Sequence, residues 1–198
     1  SLPIRWSISS DNNVPCGSSP ESPTILYQDP WLLVVLKPSG LLSQPGRGDH
    51  LQDSLITRLQ SLGEDLHLVH RLDRDTSGVV LVARGLESLR RCSALFASRR
   101  VNKLYEAEVT GQLQGRGRID SRLARLERDP PRYGDHPQGR PATTLWRVRA
   151  RRADSTTLWL RPLTGRSHQL RAHLAGIGHP ILGDPIYGEE RTTPMRLH

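Results

Sequence analysis

Two short apolar runs, Leu66 to Val69 and Val79 to Ala83, enclose the polar stretch HRLDRDTSG, His70 to Gly78. Runs of four or five apolar residues bounded by turn formers are too short for helices and read as sheet strands. Asp73 and Asp75 are thereby placed on a loop between two strands. Gly78 can take a positive φ, and Thr76 and Ser77 can bond nearby backbone groups, so the turn is predicted to be tight and rigid. A carboxylate held there beside Arg71 and Arg74 is a candidate catalytic group. A carboxylate that only caps its own loop would use the same residue types.

Elsewhere the pattern alternates between strands and helices. Residues 1–23 are rich in Ser, Pro and Asn and read as a flexible leader, with Ile4, Trp6 and Ile8 spaced like an edge strand. Residues 24–198 read as one domain. Ile25 to Tyr27 and Leu32 to Leu36 predict paired strands, and Lys37, at the mouth of the turn Pro38 to Gly40, either meets a phosphate or ends a solvated strand. Asp49 precedes a helical spacing of Leu51, Leu55, Ile56, Leu59 and Leu62, closed by Gly63. A second helix is spaced by Leu86, Leu89, Cys92, Leu95 and Phe96. Asn102 to Thr110 alternates and turns Tyr105, Ala107 and Val109 inward as a strand. Gln112 to Pro141, dense in Arg, Gly and Pro, predicts a long surface excursion. Thr143 to Arg149 and Thr156 to Pro162 predict two strands with Trp146 and Trp159 in the core and Arg147, Arg149 and Arg151 on one face. Leu170, His173, Leu174 and Ile177 space a third helix, with Arg166 at its start. Helices scattered among hairpin-like strands define an α+β class with a mainly antiparallel sheet.

Charge narrows the partner. The 198 residues carry 28 Lys and Arg against 20 Asp and Glu, a net +8 and a pI near 10.4. Such an excess favours a polyanion, nucleic acid first. Between Arg84 and Arg100 five Arg stand against one Glu, so Arg90 and Arg99 either track an RNA backbone or face solvent. No run reaches the roughly 18 apolar residues of a membrane span, and the start lacks a charged region followed by an apolar core. A cytoplasmic location is expected. Two cysteines, Cys16 and Cys92, imply no disulfide framework. The pairs His67 and His70, and His168 and His173, lack the Cys or carboxylate partners of a zinc site, so no metal is expected.

HRLDRDTSG resembles the signature of the RluA-type pseudouridine synthases, which isomerise uridine in structured RNA and whose essential Asp corresponds to Asp73. KLYEA, Lys103 to Ala107, resembles their second motif, and LTGRSHQLRAHLAGIGHPILGDPIYG, Leu163 to Gly188, their third; the order is kept from Ile25 to Gly188. The resemblance implies an α+β fold, a mainly antiparallel mixed sheet with flanking helices and a central catalytic cleft. It implies a catalytic set of Asp73, Tyr105 stacking on the target uracil, and Arg166 pairing with Asp73. Arg71 would fill the space an extruded base leaves, and Lys37, Arg74, Arg90, Arg99 and Lys103 would join it in holding RNA. The isomerisation involves no net redox change, so no cofactor is implied. The expected partner is ribosomal or transfer RNA, with no membrane or protein partner and a monomeric enzyme. No RNA-binding domain of the S4 type precedes Ile25, as in the small single-domain branch, and the family pattern continues past Leu197-His198, so the C-terminal end reads as short. Two other classes stay open, a catalytically silent RNA-binding protein and a nucleoside or glycoside hydrolase using Asp73 with a second carboxylate. Intact Asp73, Tyr105 and Arg166 disfavour the first. The HRLDRDTSG stretch holds no acidic residue beyond Asp75 to serve the second.

Overall fold

The computed structural model describes residues 23–61, 65–188 and 194–198. Strand β1 (Thr24–Gln28) turns back into β2 (Leu32–Lys37) at Asp29, whose carboxylate accepts the N–H groups of Trp31 and Leu32, both at 2.8 Å. Strand β2 pairs antiparallel with β4 (Gly78–Arg84), and β3 (Leu66–Leu68) closes the far edge in the order β1-β2-β4-β3. The two runs that flank the HRLDRDTSG turn are thus adjacent strands. Leu33, Val35, Val80 and Val82 share the inner face and pack on Leu55 and Leu59 of α1 (Leu55–Gln60).

Helix α1 begins later than the spacing predicts. Asp49–Leu51 forms only a 3-10 turn, and the helix starts after Ser54. The Ser54 hydroxyl accepts the Thr57 N–H at 3.3 Å and Thr57 Oγ1 accepts the Ser54 N–H at 2.9 Å, a reciprocal cap that outweighs Asp49 as a start signal. Gly63, Cys16 and the alternating residues Ile4, Trp6 and Ile8 lie outside the described residues. Helix α2 (Gly85–Ala97) follows β4 directly and rides on the surface. Leu86 and Leu95, expected to pack, are exposed, and Ser88 is its buried residue.

The second sheet has the order β5-β9-β8-β6-β7: β5 (Tyr105–Thr110), β6 (Arg116–Arg128), β7 (Pro131–Asp135), β8 (Arg140–Arg151) and β9 (Ser155–Pro162). The predicted surface excursion, Gln112 to Pro141, is therefore largely a β-hairpin, with β6 paired on both sides, between β8 and the edge strand β7. Arg116, Arg118, Asp120 and Arg122 point to solvent and Gly117, Ile119, Ser121 and Leu123 point inward, which is a strand's alternation written in Arg and Gly. Gly117 lies opposite Trp146, where a Cβ would fall 2.6 Å from the indole. Trp146 packs against the core. Trp159 does not: β9 turns Leu158 and Leu160 inward and leaves Trp159 37% exposed, with the Arg149 guanidinium 5.0 Å from its ring.

Helix α3 (Gln169–Gly176) packs across this sheet, and Leu170 and Leu174 join Ala107, Val109, Leu158 and Leu160 in a second core. Residues 194–198 run beside β5, where Glu106 and His198 exchange backbone hydrogen bonds of 2.8 and 2.9 Å. Tyr105 packs against both cores, so it marks the seam between the two sheets. Among the described residues no helix is long and apolar enough to cross a membrane.

Candidate active site

The seam opens into a cleft of about 280 Å³, and Asp73 stands on one wall of it. Its loop is fixed through backbone groups. The Thr76 N–H bonds the Asp73 carbonyl at 3.2 Å, Ser43 Oγ donates to the Leu72 carbonyl at 2.7 Å and accepts the Leu72 N–H at 3.1 Å, and Gly78 adopts φ 138°. Ser77 bonds the Leu197 carbonyl through its N–H and its hydroxyl, both at 3.2 Å, which ties the loop to the segment beside β5. None of these bonds engages the Asp73 carboxylate.

Lys37 belongs to the same support. It is fully buried, and its ammonium donates to the carbonyls of Pro38 at 2.9 Å, Leu41 at 2.7 Å and Arg74 at 2.9 Å. All three donors are used, so Lys37 cannot also meet a phosphate, as the sequence reading expected. It pins the turn Pro38 to Gly40 to the Asp73 loop, and burial pushes its pKa down to about 8.

The opposite wall is α3 and the turn after it. Arg171, 2% exposed, donates from Nε and Nη2 to the two oxygens of the fully buried Asp184, both at 2.7 Å. Asp184 Oδ1 also accepts the N–H groups of Ile186 and Tyr187. Burial works against charge on both partners, but the forked pairing wins, holding the Asp184 carboxyl below its ordinary range and the Arg171 guanidinium above its own. The remaining nitrogen, Nη1, lies 3.6 Å from Asp73 Oδ2. His168 Nε2 lies 4.0 Å from the same oxygen. The Tyr187 hydroxyl accepts the Tyr133 N–H at 2.7 Å, so its own hydrogen is free for His168 Nδ1 at 3.1 Å. With the hydroxyl donating to Nδ1, the neutral imidazole carries its proton on Nε2, facing Asp73. Burial lowers the His168 pKa and so favours the neutral ring.

Tyr105 lines the cleft between these walls, and burial together with the charge of Asp73 pushes its pKa up to about 12. It therefore presents a neutral aromatic ring. Arg71 is exposed on the rim, and Lys103 donates to the Thr164 carbonyl at 3.3 Å from the opposite side. Arg74 is exposed and bonds the Gly40 carbonyl, while Arg90 and Arg99 lie on the surface of α2 and just beyond it. Arg166 does not pair with Asp73. It lines the cleft three residues before α3, and its Nε bonds the Pro141 carbonyl at 3.1 Å, aiming the guanidinium at β8. The guanidinium beside Asp73 is that of Arg171, five residues on.

Arg171, Asp184 and Tyr187 are not singled out by the sequence reading, and His168 only as half of a histidine pair without zinc partners, although all four lie within the third motif. One signal was present: α3 is buried over Gln169 to Leu174, so an Arg in its middle demands a buried partner, and Gly-Asp-Pro supplies one. Among the described residues no group of three or more His, Cys, Asp or Glu is placed to hold a metal.

The arrangement has known counterparts. A family model described as RNA pseudouridylate synthase matches residues 31–176, a span that takes in the Asp73 loop, Tyr105 and all of α3. The dual-specificity RNA pseudouridine synthase RluA of Yersinia pestis is 43% identical over 174 residues, covering 86% of this chain and 84% of that one. Its counterpart of the same name in Escherichia coli K12 is 41% identical over 181 residues, covering 89% and 83%. The solved structure of human RNA Pseudouridylate Synthase Domain Containing 1 superposes with a TM-score of 0.77 at 29% identity, covering 91% of this chain and 79% of that one. A half-exposed Asp on a rigid loop, a buried Arg facing it and a neutral Tyr between them are thus found in a chain that belongs to the RNA pseudouridylate synthase family.

Proposed function

We propose that Asp73 carries out the isomerisation of uridine to pseudouridine in structured RNA, ribosomal or transfer, without a cofactor and as a monomer in the cytoplasm. In this reaction the bond from C1′ to N1 breaks, the uracil turns, and a bond from C1′ to C5 forms. The proton at C5 leaves and N1 ends protonated, so composition and oxidation state are unchanged. Asp73 assists cleavage by attack on C1′ or by taking a proton from the sugar. Arg171 and His168 position that carboxylate from the Oδ2 side. Tyr105 stacks on the detached uracil, a contact worth roughly 1 to 3 kcal/mol, and helps keep it in the cleft.

Reaching a base in folded RNA requires extrusion at a cost of a few kcal/mol. Arg71, exposed on the rim beside Asp73, fills the vacated space or holds a neighbouring phosphate. Naming of the bacterial relatives as dual-specificity enzymes supports more than one RNA as substrate. The observation that carries this reading is the Asp73 carboxylate left free by its own loop and faced by a buried guanidinium at 3.6 Å.

The test is tritium release from ribosomal and transfer RNA labelled at uracil C5 and taken from a strain lacking this protein. Bond formation at C5 must expel the label. The parent chain is expected to release it, and Asp73→Asn to lower the rate by at least about 10³-fold. Full activity in Asp73→Asn would overturn the assignment.

A further inference from the structure

Past Gly165, Arg166 and Ser167 the catalytic cleft adjoins a second depression of about 360 Å³, bounded by the β6–β7 hairpin and the turn leading into β8. Its lining carries three guanidinium groups, those of Arg125, Arg140 and Arg166, and no carboxylate. This is not a general property of a basic surface. A neighbouring depression on the same hairpin sets Asp120 and Asp135 against Arg132.

Two of the three cations are aimed by hydrogen bonds, and the third leaves a fixed backbone turn. Arg166 borders both depressions, and beyond its Nε bond to Pro141 its guanidinium makes no hydrogen bond or ion pair among the described residues. Arg125 is aimed by bonds of 3.3 and 3.2 Å to the Tyr133 hydroxyl. Arg140 leaves a turn closed by the Gly139 N–H on the His136 carbonyl at 2.8 Å. A Cβ at Gly139 would lie 2.2 Å from the Arg122 carbonyl, so only glycine lets this turn sit against β6. The Arg140 side chain is exposed and makes no hydrogen bond or ion pair among the described residues. A rim of forked cations free of carboxylates matches the paired oxygens and single charge of a phosphodiester.

We propose that this depression is a subsite for the nucleotide adjoining the target uridine, with its phosphodiester between Arg166 and Arg140. The inference rests on the reading that the Asp73 cleft receives a uridine in RNA. Extrusion turns the target nucleotide about its backbone, and a clamp on the next phosphate holds the strand in the turned state. Arg166, freed from Asp73 by Arg171, serves the strand instead of the carboxylate.

The test compares Arg140→Ala with Arg151→Ala, which removes the same charge from an exposed position at the opposite end of β8. Steady-state tritium release on the C5-labelled RNA described above is measured across a salt series. Arg140→Ala is expected to raise KM at least fivefold with a smaller change in kcat. The plot of log KM against log salt should also become shallower by about 0.7 to 0.9. Arg151→Ala should move KM less than twofold. Equal effects of the two variants, or no effect of Arg140→Ala, would overturn the subsite while leaving the activity standing. A parent chain that releases no tritium would defeat the uridine reading itself, and the subsite with it.

Discussion

The two walls of the catalytic cleft are built on opposite principles. On the Asp73 wall every supporting bond, from Ser43, Thr76 and Lys37, falls on backbone groups of the loop, and the carboxylate stays 31% exposed. On the α3 wall the polar side chains are bonded to one another, the buried ion pair Arg171 to Asp184 and the neutral pair His168 to Tyr187. One wall offers a reactive group. The other offers a field that does not rearrange, which is what electrostatic preorganisation requires. The difference locates stability and reactivity on separate elements, and it can be attacked from either side.

The largest effect is expected at the buried pair. Arg171→Met leaves the Asp184 carboxylate buried without its cation, which costs about 3 to 5 kcal/mol of stability, and it also removes the partner of Asp73. Urea denaturation and tritium release should therefore both collapse. The double variant Arg171→Met with Asp184→Asn removes the stranded charge and keeps an acceptor for the Ile186 and Tyr187 N–H groups. It should recover most of the stability and none of the activity. Recovery of both would show that the α3 wall is only scaffolding.

Acid is expected to act on both walls at once, with a smaller effect. Burial lowers the pKa of His173 on α3 from 6.5 to about 4, and that of His70, stacked on Phe96 behind the Asp73 loop, to about 4 as well. Between pH 6.5 and 4 the unfolded chain binds protons at these rings that the folded chain refuses. The unfolded state then holds more protons, so stability is constant above this window and falls as pH drops through it. For His173, 2% exposed, the loss amounts to up to about 3 kcal/mol. In urea melts at pH 7 and 4.5, His173→Gln should shrink the difference between the two pH values relative to the parent. An unchanged difference would mean that the ring between Thr144 and Ser121 does not titrate in this window.

How far the sequence could be read follows the same division. The Asp73 loop was legible because local rules govern it: short apolar runs, a turn rich in Thr, Ser and Gly, and a positive φ at Gly78. Tyr105 was legible because alternation along one strand fixes which side chains face inward. The α3 wall was not, because the partner of Arg171 comes from the turn thirteen residues on, and no periodicity reports which of two nearby arginines the fold turns inward. Spacing also misled where a side chain's role depends on what lies across from it. Lys37 reads as a phosphate ligand only through the family-like context of its turn, composition favouring a solvated strand end, yet three carbonyls converge on its ammonium. The arginines of β6 looked like loop composition until β8 supplied a neighbouring strand and Trp146 a reason for Gly117.

The smallest effect sharpens the contrast between charges that are placed and charges that are only present. Arg90 lies exposed on α2, a helix that flanks the Asp73 wall through β3 and β4, and it makes no hydrogen bond or ion pair among the described residues. Its neighbour Arg91 instead pairs with Glu87 one turn back at 2.6 Å. If α2 follows the RNA backbone, Arg90→Ala removes one released counterion. The salt slope of RNA binding should then fall by about 0.7 to 0.9, and affinity at physiological salt by less than about threefold. Arg91→Ala should do less, since its charge is already partly neutralised by Glu87. Filter binding of transfer RNA across a salt series separates the two. A slope unchanged in both variants would take α2 off the RNA path and leave the arginines beside Arg166 as the route by which the strand leaves the cleft.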